Sequence, residues 1–363
     1  MVKLLWYIYQ MDIPIYKPWI TKKEIQFVND AVKSTWVSSI GKYIDLFEDS
    51  FKNFIGSKYA LSLNNGTSAC HLALLCSGIK EGDEVMVPAC CFIAAVNAIT
   101  YCGAKPVLID IDKDTWNISL SEINKNFSTK TKAIFGVHML GNPCDIEILN
   151  FCKQKNILYI EDACESIGAS SNLIKTGNIG HCSAFSFFGN KNLTTGEGGM
   201  ITTNSEEVFN KVKCLKGQGQ SKRYFHSEIG YNYRMTNIQA ALGYAQMLRI
   251  NEIIEEKNRV YSTYKKLLQD HVSLQKVNEN DIHSNWMFGF VCKSKEKVEI
   301  ALNENGIETR IMFYPINEMP PYKSDEEYSN SIFLNRNGLM LPSYPQLKNN
   351  QIEKICDLIK KNL

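Results

Sequence analysis

The sequence predicts an α/β fold: a mostly parallel sheet flanked by helices, followed by a smaller C-terminal α+β domain. Three observations carry this. Short apolar runs alternate with amphipathic stretches between Tyr59 and Asp162, the pattern of a parallel sheet covered on both faces. Glycines and carboxylates follow the runs rather than interrupt them. After Met235 the alternation gives way to a long helical stretch, rich in charge from Arg249 onward. At 363 residues the chain is long for one core, and domain-size priors of roughly 100 to 200 residues point to two domains.

Taken in order, Leu4 to Tyr9 is apolar after Lys3, but it is too short for a signal peptide or a membrane span. Thr21-Lys-Lys-Glu24 reads as a capping box opening a helix with Ile25, Val28 and Val32 on its core side. Ile44, Phe47, Phe51 and Phe54 continue a helical stripe to Gly56. Strands are expected at 59–63, 84–87, 106–111, 133–137 and 158–160, with helices near 92–101 and 145–154. One helical stretch is expected from Thr236 to Asp270, then a strand at 286–291, a helix at 295–305 and an amphipathic helix around 352–359. The boundary is placed inside the long helical stretch. Residues 1–245 form the large domain, with 1–12 set apart as an extension, and 246–363 the small one.

The chemistry begins at Lys191, in the run Ala184-Phe-Ser-Phe-Phe-Gly-Asn-Lys191-Asn-Leu-Thr-Thr-Gly-Glu-Gly-Gly199. It stands between a hydroxyl-bearing apolar strand and a glycine-rich turn. A desolvated lysine is a nucleophile toward aldehydes, above all that of pyridoxal phosphate (PLP). Alone, it is more simply one solvated cation among 40 lysines and arginines. PLP enzymes pair that lysine with an acid on the pyridine nitrogen, and Asp162 ends the strand Ile157-Leu-Tyr-Ile-Glu-Asp162. A strand-end aspartate could equally bind a metal or cap a helix. The third requirement is a phosphate site. Asn64-Asn65-Gly66-Thr67-Ser68-Ala69 follows a strand and precedes Ala69, Leu72, Ala73 and Cys76 at helical spacing, so Gly66 to Ser68 fall at a helix N-terminus, where free amides favour an anion. An ordinary N-cap would use the same hydroxyls. In open α/β sheets the ligand lies beyond the strands' carboxyl ends, where Asp162 and Gly66 should converge.

With these blocks in this order, the chain resembles the fold-type I PLP enzymes, specifically the nucleotide-sugar aminotransferase family, from about Ile13 to the C-terminus. The resemblance is densest at Asn65-Gly-Thr67, Glu161-Asp-Ala163, Ser186 to Gly199, Gly230 to Asn237 and Gly338 to Ser343. Within the family it looks most like perosamine synthases and their 4-aminotransferase relatives. The resemblance implies Lys191 as the Schiff-base lysine and Asp162 as the partner of the pyridine nitrogen. It implies Gly66, Thr67, Ser68 and Ser186 at the phosphate, Phe92 against the pyridine face (helix core being the plain alternative), and Glu165 close to the ring. It implies Asn232 reaching the phosphate of a neighbouring subunit, hence a homodimer with shared active sites. Substrate contacts are expected at Trp36, Ser39, His138, Arg234 and Arg310. Asn142 and Asn317 stand where relatives often have His, which bears on the sugar and nucleotide and not on the cofactor.

The implied reaction moves an amino group from L-glutamate to C4 of a nucleotide-linked 4-keto-6-deoxyhexose, giving a 4-amino-4,6-dideoxy sugar of the viosamine or perosamine type. Lys191 serves as base and then acid. A 3-keto-sugar aminotransferase is the nearest alternative. The dehydratase branch of the fold typically lacks the lysine, and a non-catalytic PLP-binding protein would have no need of the complete set. Composition adds exclusions. The net charge is +2 with acids and bases interspersed, so no nucleic-acid partner is expected, and no membrane partner either. The 12 cysteines are scattered without a Cys-x-x-Cys pair. That predicts reduced thiols, no metal and a cytoplasmic setting.

Overall fold

The computed structural model describes residues 11–363; the apolar segment Leu4 to Tyr9 and most of the expected extension lie outside the described residues. The first part of the chain runs α1 (Lys22–Lys33), α2 (Lys42–Ile55), β1 (Tyr59–Leu63), α3 (Gly66–Cys76), β2 (Glu84–Pro88), α4 (Ala94–Tyr101), β3 (Lys105–Ile109), α5 (Leu120–Asn126), β4 (Thr131–Val137), α6 (Glu147–Lys155) and β5 (Leu158–Asp162). After two short pairing segments come β6 (Cys182–Ser186), β7 (Gly199–Thr203), α7 (Glu206–Leu215), α8 (Asn237–Met247) and α9 (Ile250–Leu268).

These strands make a seven-stranded sheet in the order β1-β7-β6-β5-β4-β2-β3. The pairs from β6 through β3 are parallel, and β7 runs antiparallel to both neighbours. The predicted α/β architecture is thus observed. One face is filled by α3, α4 and α7 residues such as Leu72, Ile99 and Val212, the other by Phe47, Phe51, Phe185 and Phe187. The Phe51 and Phe185 rings meet edge to face at 4.9 Å, a favoured aromatic geometry. A second, four-stranded antiparallel sheet gathers residues 273–274, 288–291, 310–311 and 338–341. It packs with α9 residues Val260 and Tyr264 and the C-terminal helix Asn349–Asn362. Ile13 crosses into this second core, paired with Ile307.

Two expectations are corrected. The stripe on α1 is not core: Ile25 and Val32 are 55% and 50% exposed, whereas Glu24 and Ala31 are buried. Glu24 closes the predicted capping box with Thr21. It also accepts Arg249 Nη1 at 3.1 Å and Gln246 Nε2 at 3.2 Å, so a polar contact with α8 and the start of α9 turns that face inward. The long helical stretch is also two helices. The chain leaves helical geometry at Arg249 (φ −134°), where the side chain binds Trp19 O and Glu24 instead of extending α8.

Candidate active site

The sheet register lines up the chemistry. Leu63 pairs with Gly199, Gly199 with Ser186, Ala184 with Asp162, and Asp162 with Val137. The segments leaving β1, β4, β5 and β6 therefore emerge at one edge, and each carries a predicted residue there.

At the first segment Asn65 is the N-cap of α3, accepting the Ser68 amide at 2.8 Å. Thr67 and Ser68 are consequently not spent on capping by their own hydroxyls, and the first amides of the helix have no intrahelical acceptor. Backbones approach closely here. A Cβ on Gly66 would lie 2.7 Å from Ser186 Cβ and 3.3 Å from Cys164 Sγ, and one on Gly199 would lie 2.3 Å from Asn65 O. Only glycine lets the helix start, Ser186 and the Gly199 backbone come this close.

On β5 successive side chains take opposite faces. Glu161 points into the interior and is fully buried. Its Oε1 accepts the Ile179 and Gly180 amides and Ser183 Oγ at 3.0, 2.7 and 2.7 Å, and its Oε2 accepts the Gly177 amide and His138 Nε2 at 2.9 and 3.0 Å. Burial pushes its pKa up, but the imidazole and these amides more than offset that and hold it below its ordinary value. Asp162, on the other face, accepts the Cys164 amide at 3.1 Å and lies beside the Cys70 thiol.

Lys191 lies 12% exposed, with Nζ 3.9 Å from Glu165 Oε1 and 3.8 Å from the centre of the Trp286 ring. Trp286 is fixed by Nε1 donating to Asn190 O at 2.8 Å, and Tyr16 Oη donates to Lys191 O at 2.7 Å. Glu165 Oε2 accepts the amide of Leu140, which adopts a left-handed φ of 55° to present it. Burial, opposed by Lys191, pushes the Glu165 carboxyl up to about 7. Lys191 and Asp162 both act electrostatically on Glu165 and on the Cys70 and Cys164 thiols, so the amine and the acid share one pocket.

The remaining candidates fall differently. Phe92 precedes α4, is 57% exposed and has its ring 6.1 Å from that of Phe313, so it is not helix core. His138 is corrected: it is fully buried, Nδ1 accepts the Cys144 amide at 3.0 Å, and Nε2 faces Glu161, leaving no atom for a substrate. Arg234 is exposed beside β1, bridged to Leu63, and Asn232 is exposed next to Asn64. Trp36 and Ser39 lie on a loop held by Asn237, whose Nδ2 donates to Trp36 O at 2.7 Å. Arg310 is exposed in the second sheet, opposite Met340. Sequence reasoning missed Trp286, Tyr16 and the buffering of Glu161. For Glu161 the two-residue period of β5 was the available signal; for Tyr16 and Trp286, far from Lys191 in the chain, there was none.

An aldehyde-reactive amine, a carboxylate at a strand end and a glycine-lined helix start, held on one sheet edge, define the pocket of a PLP-type transferase. The chain belongs to the DegT/DnrJ/EryC1/StrS aminotransferase family, whose pattern it matches over residues 18–360. It is 43% identical to the GDP-perosamine synthase of Escherichia coli O157:H7, over 96% of this chain and 98% of that one. It is 40% identical to the GDP-perosamine synthase of Vibrio cholerae, with the same coverage. Among solved structures, an aminotransferase from Psychrobacter cryohalolentis superposes with a TM-score of 0.90 at 27% identity, covering 95% of this chain and 98% of that one.

Proposed function

We propose that this protein is a PLP-dependent nucleotide-sugar aminotransferase that moves the amino group of L-glutamate to C4 of a nucleotide-linked 4-keto-6-deoxyhexose. The product is a 4-amino-4,6-dideoxy sugar, and the likeness to GDP-perosamine synthases favours the perosamine type. The observation that carries the reading is the contact of Lys191 with Glu165 at the sheet edge that also carries Asp162, Ser186 and the N-terminus of α3.

The donor set fits PLP: Lys191 for the aldehyde, Asp162 for the pyridine nitrogen, and Gly66, Thr67, Ser68 and Ser186 for the phosphate. Phe92 is assigned to the ring face. Bound there, the cofactor supplies an electron sink and carries the amino group between substrates. The chain supplies position and proton traffic. The Cys164 amide aims the Asp162 carboxylate, and the Trp286 ring covers the Lys191 amine. Lys191 Nζ would take the proton from the donor's α-carbon as base and, as acid, give it back in the same half-reaction. Glu165, close to half-ionised at neutral pH and 3.9 Å away, can relay that proton.

Residues 1–245 are taken as the cofactor domain and 246–363 as the smaller one. Trp36, Ser39, Arg234 and Arg310 remain the substrate-side candidates. A homodimer is also part of the reading. Exposed Val32, Trp36, Ile40, Tyr224 and Phe225 offer apolar surface for a second copy, and exposed Asn232 would reach the partner's phosphate site. No helix among the described residues is long and apolar enough to cross a membrane.

The direct test incubates the protein with L-glutamate and each 4-keto-6-deoxy nucleotide sugar and identifies the aminated carbon. Amination at C3, or none with any of them, contradicts the reading.

A further inference from the structure

Two thiols that the proposed transamination does not use stand against Asp162. Cys70, on the second turn of α3, and Cys164, two residues beyond the end of β5, place their Sγ atoms so that both sulfurs and an Asp162 oxygen all lie within 4.8 Å of one another. Cys70 and Asp162 are buried, and Cys164 is half-buried, its sulfur 3.3 Å from where a Cβ on Gly66 would stand. The group is anchored. The Cys164 amide holds the carboxylate at 3.1 Å, and Cys164 Sγ lies 3.8 Å from Ala184 O. Neither thiol is in a disulfide.

We propose that Cys70, Asp162 and Cys164 form a three-ligand site for a thiophilic divalent cation, Zn²⁺ being the probe, and that cation and cofactor occupy the pocket alternately because both need Asp162. The donor set is the argument. Two sulfurs and one carboxylate suit Zn²⁺ or Co²⁺ and are poorly matched to Mg²⁺ or Ca²⁺. With Zn–S bonds of about 2.3 Å, tetrahedral ligand atoms sit about 3.5 to 4 Å apart, so the observed cluster needs only a modest contraction. Three protein ligands leave a fourth position for water on the open side.

Charge also closes. Two thiolates and a carboxylate carry three negative charges. The cation supplies two positive ones, and Lys191, which acts on both thiols, supplies the third. Without a cation the thiols stay protonated. For Cys164, the Cys70 hydrogen bond, burial and the neighbouring Asp162 all push the pKa up; for Cys70, the Cys164 hydrogen bond pulls it down, and burial and Asp162 together raise it above its ordinary value. Binding therefore releases two protons to solvent per cation, with no change of oxidation state. The consequence is a cofactor-free protein held by Zn²⁺ until the metal is withdrawn.

Only the alternation rests on the reading of Asp162 as the pyridine partner; the cation site itself does not. The test titrates Co²⁺ into reduced, cofactor-free protein and follows the thiolate-to-cobalt charge-transfer absorption, with Zn²⁺ as competitor. One saturating equivalent is expected, weakened by about 100-fold or more in Cys70→Ser and in Cys164→Ser, beyond what loss of an outer-shell partner costs. Thermal melts of both variants establish that they are folded. No band in the wild type, or a band unchanged in both variants, overturns the site. Cofactor-loaded protein is expected to give no band, and Zn²⁺ to slow the rise of cofactor absorbance in the wild type but not in Cys70→Ser. Equal cobalt binding with and without cofactor overturns the alternation. Failure of borohydride to trap cofactor on Lys191 in metal-free protein would instead count against the transaminase reading and leave the cobalt result standing.

Discussion

Glu161 and Asp162 are neighbours on one strand, and they show how a single edge of sheet divides between holding the fold and doing chemistry. Glu161 faces inward and is met by five donors from the 177–183 segment and His138. Asp162 faces the pocket and is met by one amide and the Cys70 thiol. A buried carboxylate with its lone pairs filled can do little except hold those partners together. One left with unfilled lone pairs is free to bind something that arrives later. The difference marks the reactive side more clearly than burial does, since Asp162 is only 7% exposed.

The contrast breaks most sharply through activity. Lys191→Ala should lower turnover by about 10⁴-fold, the upper range for loss of a general acid–base, while the melting temperature stays within the range of a surface change. Full activity in that variant would remove the pocket's chemistry altogether. Glu161→Gln is the mirror case. It leaves His138 Nε2 and up to three amides facing a neutral group, and about 3 to 5 kcal/mol of stability should be lost, read by denaturant unfolding. If Glu161→Gln unfolds like the wild type, the saturated side is not structural.

Smaller effects sharpen the boundary. Gly66→Ala places a methyl against Ser186 and should cost about 1 to 3 kcal/mol by overpacking, with weakened cofactor binding seen by absorbance titration. Unchanged cofactor affinity would move the phosphate elsewhere.

The pH dependence separates the two glutamates by sign. Glu161 has a lowered pKa, so its contribution is present above the unfolded value of about 4.5 and is lost as the pH falls through its folded value. Glu165 is raised to about 7, so its contribution is present below about 4.5 and gone once the pH passes 7. Cofactor-free Glu165→Gln should accordingly be about 3 kcal/mol more stable than wild type at pH 8 and no more stable at pH 4.5. Identical melting curves at pH 8 would remove the raised pKa assigned to Glu165.

Much of this was legible in the chain. The β1 and β5 runs, the Thr21 capping box and the Gly56 helix stop are local, and local pattern sufficed for them. The strand-then-glycine order at Asn65-Gly66 placed a helix start where α3 begins. Other features resisted. Ile25 and Val32 have the spacing of a core stripe, yet they face outward because periodicity gives a face and not its partner. The break at Arg249 has no glycine or proline to announce it, since it is made by contacts with Trp19 and Glu24 more than 200 residues earlier.

By itself the sequence determined the kinds of element, their order and the reactive groups at their ends, because hydrogen-bonding period, capping and side-chain chemistry are properties of short stretches. Only the tertiary structure decided which groups meet. His138 went to Glu161 instead of to a substrate, Trp286 came over Lys191, and Cys70 came to Asp162. Sheet register and helix packing fix such meetings between distant residues, and no window along the chain contains both partners.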